Sequence, residues 1–157
     1  MASDDILSFS LGRLDNKKTV LGLTASMTMS APPAAGAIYR IQAATATCTT
    51  FWIAYAFPAG PDSPSASLRE NCGGATSTTT TKIDAAISGN TITWSLPFSI
   101  LPKDIKVGTV ISNAFGETKG HIGTSPLASL PAAGTSGPTA PTIDDTATAP
   151  SGYTVGS

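Results

Sequence analysis

KIDAAISGNTITWSLPFSIL, residues 82–101, is the stretch from which the fold class is read. Ser88-Gly89-Asn90 is a turn signal, because glycine and asparagine accept the backbone angles that tight turns require. Strict alternation follows: Ile92, Trp94 and Leu96 point one way, Thr91, Thr93 and Ser95 the other. A period of two with one apolar face is what a half-buried β-strand needs, since successive side chains leave opposite sides of the pleat. Trp94 shares its face with two aliphatic residues and is therefore expected in the core. After Pro97 the alternation stops, and Phe98–Leu101 forms a short apolar turn ahead of Pro102.

The same pattern recurs on both sides. Upstream, Asp5–Leu11 reads as a strand with Leu7, Phe9 and Leu11 inward, and Asp15-Asn16-Lys17-Lys18 as a hairpin turn. Thr19–Met29 returns with Leu21, Leu23, Ala25, Met27 and Met29 on one face. APPAAG, residues 31–36, is a loop, because consecutive prolines cannot donate to a sheet ladder. Ala37–Ala44 is a third strand, with Tyr39 and Ile41 on one side and Arg40 and Gln42 on the other. Thr47–Phe57 is a fourth, with Phe51, Ile53, Tyr55 and Phe57 opposite Trp52, Ala54 and Ala56. Pro58–Pro64 is a turn, Ala66–Cys72 a fifth strand and Gly73–Thr81 a Gly/Thr-rich connector.

Downstream, Val107–Phe115 alternates, with Val107, Thr109, Ile111 and Asn113 against Val110 and Ala114. Residues 125–141, rich in Pro, Ala, Gly and Ser, have no period and read as a long loop. Gly152–Val155 would close the domain. Eight or nine short strands with no amphipathic helix predict an all-β fold. The expected architecture is an antiparallel β-sandwich layered like a jelly roll or an immunoglobulin domain.

A chain of 157 residues suits a single domain spanning 1–157. Charged residues make up 12% of it, against a typical ~25%, and Thr and Ser supply the missing polarity. Threonine fits exposed strand faces, its branched Cβ packing on the pleat while its hydroxyl meets water. A net charge of −1 offers no electrostatic handle on nucleic acid or an anionic membrane. No apolar run approaches the ~20 residues of a membrane-spanning helix, so membrane insertion is not expected. Met1–Asp5 lacks the basic and apolar regions of a signal peptide. Two cysteines and few charges nevertheless suit an extracellular setting, so the expectation is a domain excised from a larger secreted or cell-surface protein.

Cys48 and Cys72 lie symmetrically about Gly60, in the turn between the fourth and fifth strands. Residues equidistant from a hairpin turn face one another, so a disulfide is expected there. It would contribute about 3.5 kcal/mol on the chain-entropy account and would imply an oxidising compartment. A reactive or metal-binding thiol pair is the alternative, and it lacks His or basic neighbours.

Catalytic material is sparse. His121 is the only histidine, and no Gly-x-Ser-x-Gly elbow, phosphate-cradling loop or HExxH is present. A hydrolase working through Asp or Glu carboxylates would have to draw on Glu70, Glu117 and eight aspartates, none in a telling pattern. Asp4 and Asp5 open the first strand, and Asp144 and Asp145 precede the last. Sandwich termini often converge, and these four carboxylates could hold a calcium ion, a hard cation taking about six to eight oxygens. The plain alternative is that aspartates cap exposed turn amides. Trp52 and Tyr55 are the candidate ligand contacts of a carbohydrate-binding module. They lie on opposite faces of one strand, and the exposed set is the expected contact surface. A haem site using Met27, Met29 and His121 is outweighed by packing, since methionines alternating along a core-facing strand fill space.

Several short motifs resemble a known group. Asp5-Ile6-Leu7-Ser8-Phe9-Ser10 comes first, then Pro32-Pro33 followed by Tyr39-Arg40. Gly89-Asn90-Thr91-Ile92-Thr93-Trp94-Ser95-Leu96-Pro97 with Ser99-Ile100-Leu101 and Val107-Gly108 comes next. Asp145-Thr146-Ala147 and Gly152-Tyr153 complete the set. Together they resemble bacterial and archaeal extracellular sandwich domains, similar to DOMON-like and carbohydrate-binding family 9-like domains, appended to secreted proteases and surface proteins. The resemblance implies a non-catalytic accessory module, sometimes carrying calcium. This chain departs from the group in Trp94, where a small aliphatic residue is more usual, in the Cys48/Cys72 pair and in the long 125–141 segment.

Overall fold

Threonine and serine alternate with apolar residues along most of the chain, and in the computed structural model that alternation is expressed as paired strands. The structure describes residues 5–46, 50–57, 64–71, 79–120, 143–148 and 152–157. For several strand residues, among them Trp52, Asp144 and Asp145, it describes the backbone alone. The strands are β1 (Ile6–Asp15), β2 (Val20–Met29), β3 (Ala37–Ala44), β4 (Thr50–Phe57), β5 (Ser65–Asn71) and β6 (Thr79–Lys82). They continue with β7 (Asp84–Ser88), β8 (Thr91–Pro97), β9 (Val110–Gly120), β10 (Ile143–Thr148) and the two-residue β11 (Tyr153–Thr154).

Two antiparallel sheets result. The smaller has the order β1-β2-β8-β7; the larger runs β10-β9-β3-β4-β5-β6, with β11 pairing the start of β9. The protein is all-β, two layers deep, in the arrangement of a β-sandwich. The chain changes sheets three times, most abruptly at Ile83, a single residue between β6 and β7 whose N–H donates to the Ala66 carbonyl at 3.2 Å.

The opening stretch forms the hairpin its alternation predicts. Gly89 takes φ +58° while Asn90 stays negative, the form of two-residue hairpin turn whose first central position calls for glycine. Ile92, Trp94 and Leu96 are fully buried, beside Leu23, Ala25, Met27 and Met29 of β2. Tyr39, Ile41, Ile53, Leu68 and Ile111 of the larger sheet meet them. Each such aliphatic side chain contributes roughly 1.5–3 kcal/mol when removed from water. The Trp94 indole N–H donates to the Ala54 carbonyl at 3.3 Å, which satisfies the one polar group of a buried tryptophan.

The inner faces differ from expectation at bulges. Leu7 is 65% exposed and Leu21 41% exposed, although both were expected inward. Each is the extra residue in a β1–β2 register shift, Leu7 between the Ile6–Met29 and Ser8–Thr28 pairs, Leu21 between Gly22 and Val20. A bulge inserts one residue and so reverses the facing of what precedes it. Val107–Phe115 is corrected in the same way. The strand begins at Val110 and continues to Gly120, and Asn113, at φ +52°, marks a bulge opposite β3. Asn113 is therefore exposed while Ile111 and Ala114 are both buried. Strand number is also higher than eight or nine. β6 lies in what reads as a connector, and β10 is a strand that the sequence does not announce: two threonines and an Asp-Asp pair resemble turn composition, yet edge strands need only one satisfied side.

Candidate functional site

The outward face of the smaller sheet is a grid of small hydroxyl residues. Register places Ser8, Thr28, Thr91 and Ser88 in one row, and Ser10, Ser26, Thr93 and Ala86 in the next. Thr28 and Thr91 share a hydroxyl hydrogen bond at 2.8 Å, Ser26 and Thr93 one at 3.4 Å. Neither row carries a charged side chain.

The second face of the larger sheet is different. Ile38, Arg40, Ala54, Ser67 and Glu117 are buried there, although only the opposite face meets the smaller sheet. Arg40 and Glu117 are direct cross-strand neighbours on β3 and β9 and form an ion pair through Nη2 and Oε1. Burial and the nearby Arg69 pull the Arg40 guanidinium down to about 10, so it remains charged at neutral pH. Ser67 Oγ has no hydrogen-bond partner among the described residues. Chemically this is an ion pair held in a dry layer, with both side chains about 1–2% exposed.

A third feature lies at one end of the sandwich, where a cleft of about 430 Å³ is lined by Thr45, Ala46, Lys103, Asp104, Lys106, Thr109 and Val110. Its wall is a pinned loop. Leu101 and Ile105 anchor it in the core. Thr109 Oγ1 accepts from the Lys106 amide at 3.0 Å and donates to the Asp104 carbonyl at 3.1 Å. The Gly108 amide donates to the Val155 carbonyl, and the Val155 amide to the Thr109 carbonyl, each at 2.9 Å.

Compared with protein-family models, with curated proteins and with solved structures, the chain matches none of them.

Of the residues singled out from sequence, Tyr55 is half-buried and packs against the core, paired with Tyr39 and Ala66, and burial raises its phenol above the ordinary value. Trp52 occupies the register position between Gln42 and Arg69. Met27 and Met29 are fully buried among apolar neighbours. Asp5 is exposed, its carbonyl accepting from the Ser30 amide at 2.9 Å. Asp144 is the extra residue of a bulge in β10, and Asp145 pairs with Thr118. Asp4, Cys48, Cys72 and His121 lie outside the described residues. No three His, Cys, Asp or Glu side chains come together among the described residues. Sequence reading missed the Arg40–Glu117 pair and the cleft. An arginine flanked by Tyr39 and Ile41 was the available signal for the first, since a strand buried on one side only would show it to water. The cleft's lysines look like any solvated turn until Thr109 and Val155 are seen to fix it.

Proposed function

We propose that this chain is a non-catalytic extracellular binding or spacer module of a larger secreted or cell-surface protein. The observation that carries the reading is the placement of its strongest chemistry. Arg40 and Glu117 are sealed in the sheet, and the two rows across the outward face of the smaller sheet are neutral and mostly hydroxyl, with Asp84 in the row beyond. A buried ion pair acts on no substrate, and a Ser/Thr-rich face suits a domain kept soluble beside others. A Cys48–Cys72 disulfide and a calcium ion at Asp4, Asp5, Asp144 and Asp145 belong to the same proposal. In its support, β1 runs beside β10 across the open side of the two sheets.

The test is a paired assay. Purified protein is screened for turnover against glycoside, ester and peptide substrates, and for retention on glycan arrays. Turnover abolished by Glu70→Gln would overturn the reading in favour of a carboxylate hydrolase. Thiol alkylation without reductant should label neither cysteine. A carbohydrate-binding role is a second reading, favoured by Trp52 in register beside Arg69. It predicts array binding that is lost in Trp52→Ala.

A further inference from the structure

We propose that the cleft beside the 101–109 loop is a binding site for a small organic carboxylate. Its head is held by Lys103 and Lys106, and its apolar body lies on Val110 and Ala46. The inference deepens the binding-module reading and rests on it.

Four observations converge. The cleft measures about 430 Å³, inside the range of roughly 300–1,000 Å³ in which small molecules are bound. Two ammonium groups against the one carboxylate of Asp104 leave its lining net positive, on a chain whose net charge is −1. Charge complementarity therefore selects an anion. Val110 is 54% exposed, one of five large apolar side chains left in water among the described residues, and it lines this cleft. An apolar body on the ligand would cover what the fold does not. Finally, the wall is preorganised by the Thr109 and Val155 hydrogen bonds, so its lysine backbones need no ordering on binding. The Asn113 bulge, with its positive φ, sits three residues along β9, a place where such bulges re-aim a strand edge.

Other ligand classes fit less well. A divalent cation would meet two ammonium groups and one carboxylate. A neutral sugar would find no aromatic platform in this lining. Free phosphate would satisfy the lysines and leave Val110 and Ala46 bare. A carboxylate with an apolar body uses all of them. An aliphatic acid supplies that chemistry, whereas an acidic sugar shares the carboxylate without the apolar body.

The experiment is an amide NMR titration of the full chain with hexanoate, with glucuronate and with inorganic phosphate. Saturable shifts at Thr45, Lys106, Thr109 and Val110 are expected with hexanoate, and weaker ones with glucuronate, which offers the carboxylate without the apolar body. Lys103→Glu and Lys106→Glu should each weaken that binding about tenfold, since each removes a charge-assisted contact. Both lysines are exposed, so an unchanged melting temperature in the variants confirms that the fold is intact. No shifts with hexanoate, glucuronate or phosphate binding as tightly as hexanoate, or full affinity in the double variant would overturn the site. The ligand is recovered and weighed after incubation. Consumed ligand would defeat the non-catalytic reading while leaving the site standing.

Discussion

Asn16 holds the first hairpin with one carboxamide. Its Oδ1 accepts from the Lys18 amide at 3.2 Å and the Thr19 amide at 2.9 Å. The carboxamide thereby supports Lys17 at φ +75°, a left-handed conformation that costs a non-glycine residue roughly 1–2 kcal/mol. Asn16→Ala removes both contacts and should lower stability by about 1 kcal/mol in denaturant titration, with m unchanged. Beside it, Asp15 accepts from the Lys17 amide and from Arg13, which together hold its carboxyl below the ordinary carboxylate value. A depressed folded value means that Asp15 supports the fold above the unfolded pKa and loses that support as pH falls through the folded one. Asp15→Asn should therefore lower the melting temperature slightly at neutral pH and leave it nearly unchanged in acid, so that the acid limb of the profile flattens. At this scale the sequence is most readable where chemistry is local. The turn at Asp15–Lys18 and the core position of Trp94 follow from neighbours within a few residues. Arg40 does not, because its burial depends on Glu117, a residue 77 positions away brought opposite by β9.

Between elements, the strands carry two tight constraints. Gly22 of β2 pairs with Pro97 of β8, and a Cβ there would press on the Leu96 carbonyl and stand 2.7 Å from Pro97 Cα. Backbone cannot give as a side-chain tip can. Gly22→Ala should therefore cost about 1–3 kcal/mol by overpacking, seen as a lowered denaturation midpoint. The Arg40–Glu117 pair joins β3 to β9. Glu117→Gln leaves a charged guanidinium in a dry layer, and a loss of about 3–5 kcal/mol is expected. The double variant Arg40→Met/Glu117→Leu should recover most of it, because the apolar pair needs no desolvation of charge. A double variant as unstable as the single one would show that the polar pair has some role beyond mutual neutralisation. Strand existence was readable from period-two alternation in six stretches, from Asp5–Leu11 to Val107–Phe115. The bulges at Leu7, Leu21 and Asn113 were not, because one extra residue leaves the local pattern intact and only shifts its phase. The partner strand, not the residue's own segment, decides where that happens.

For the whole molecule, the two-sheet architecture was legible from composition and spacing, while strand order and sheet assignment required distant pairings such as β3 with β9. If the proposed calcium site at the four aspartates stabilises the fold, chelator should lower the melting temperature, and Asp144→Ala/Asp145→Ala should abolish the difference. Equal melting with and without chelator in the parent protein would remove the ion from the proposal.

The crossing at Ile83 has a mechanical meaning. One residue joins the edge strands of both sheets on that side, whereas β1 and β10 on the other side meet with no direct covalent link. The sandwich is thus hinged along one margin and merely apposed along the other. A pulling force or a thermal opening would part the layers first at β1 and β10 and would reach β6 and β7 last. If the chain is built into a longer protein, tension on its N-terminal end falls first on β1, at the margin that separates more readily.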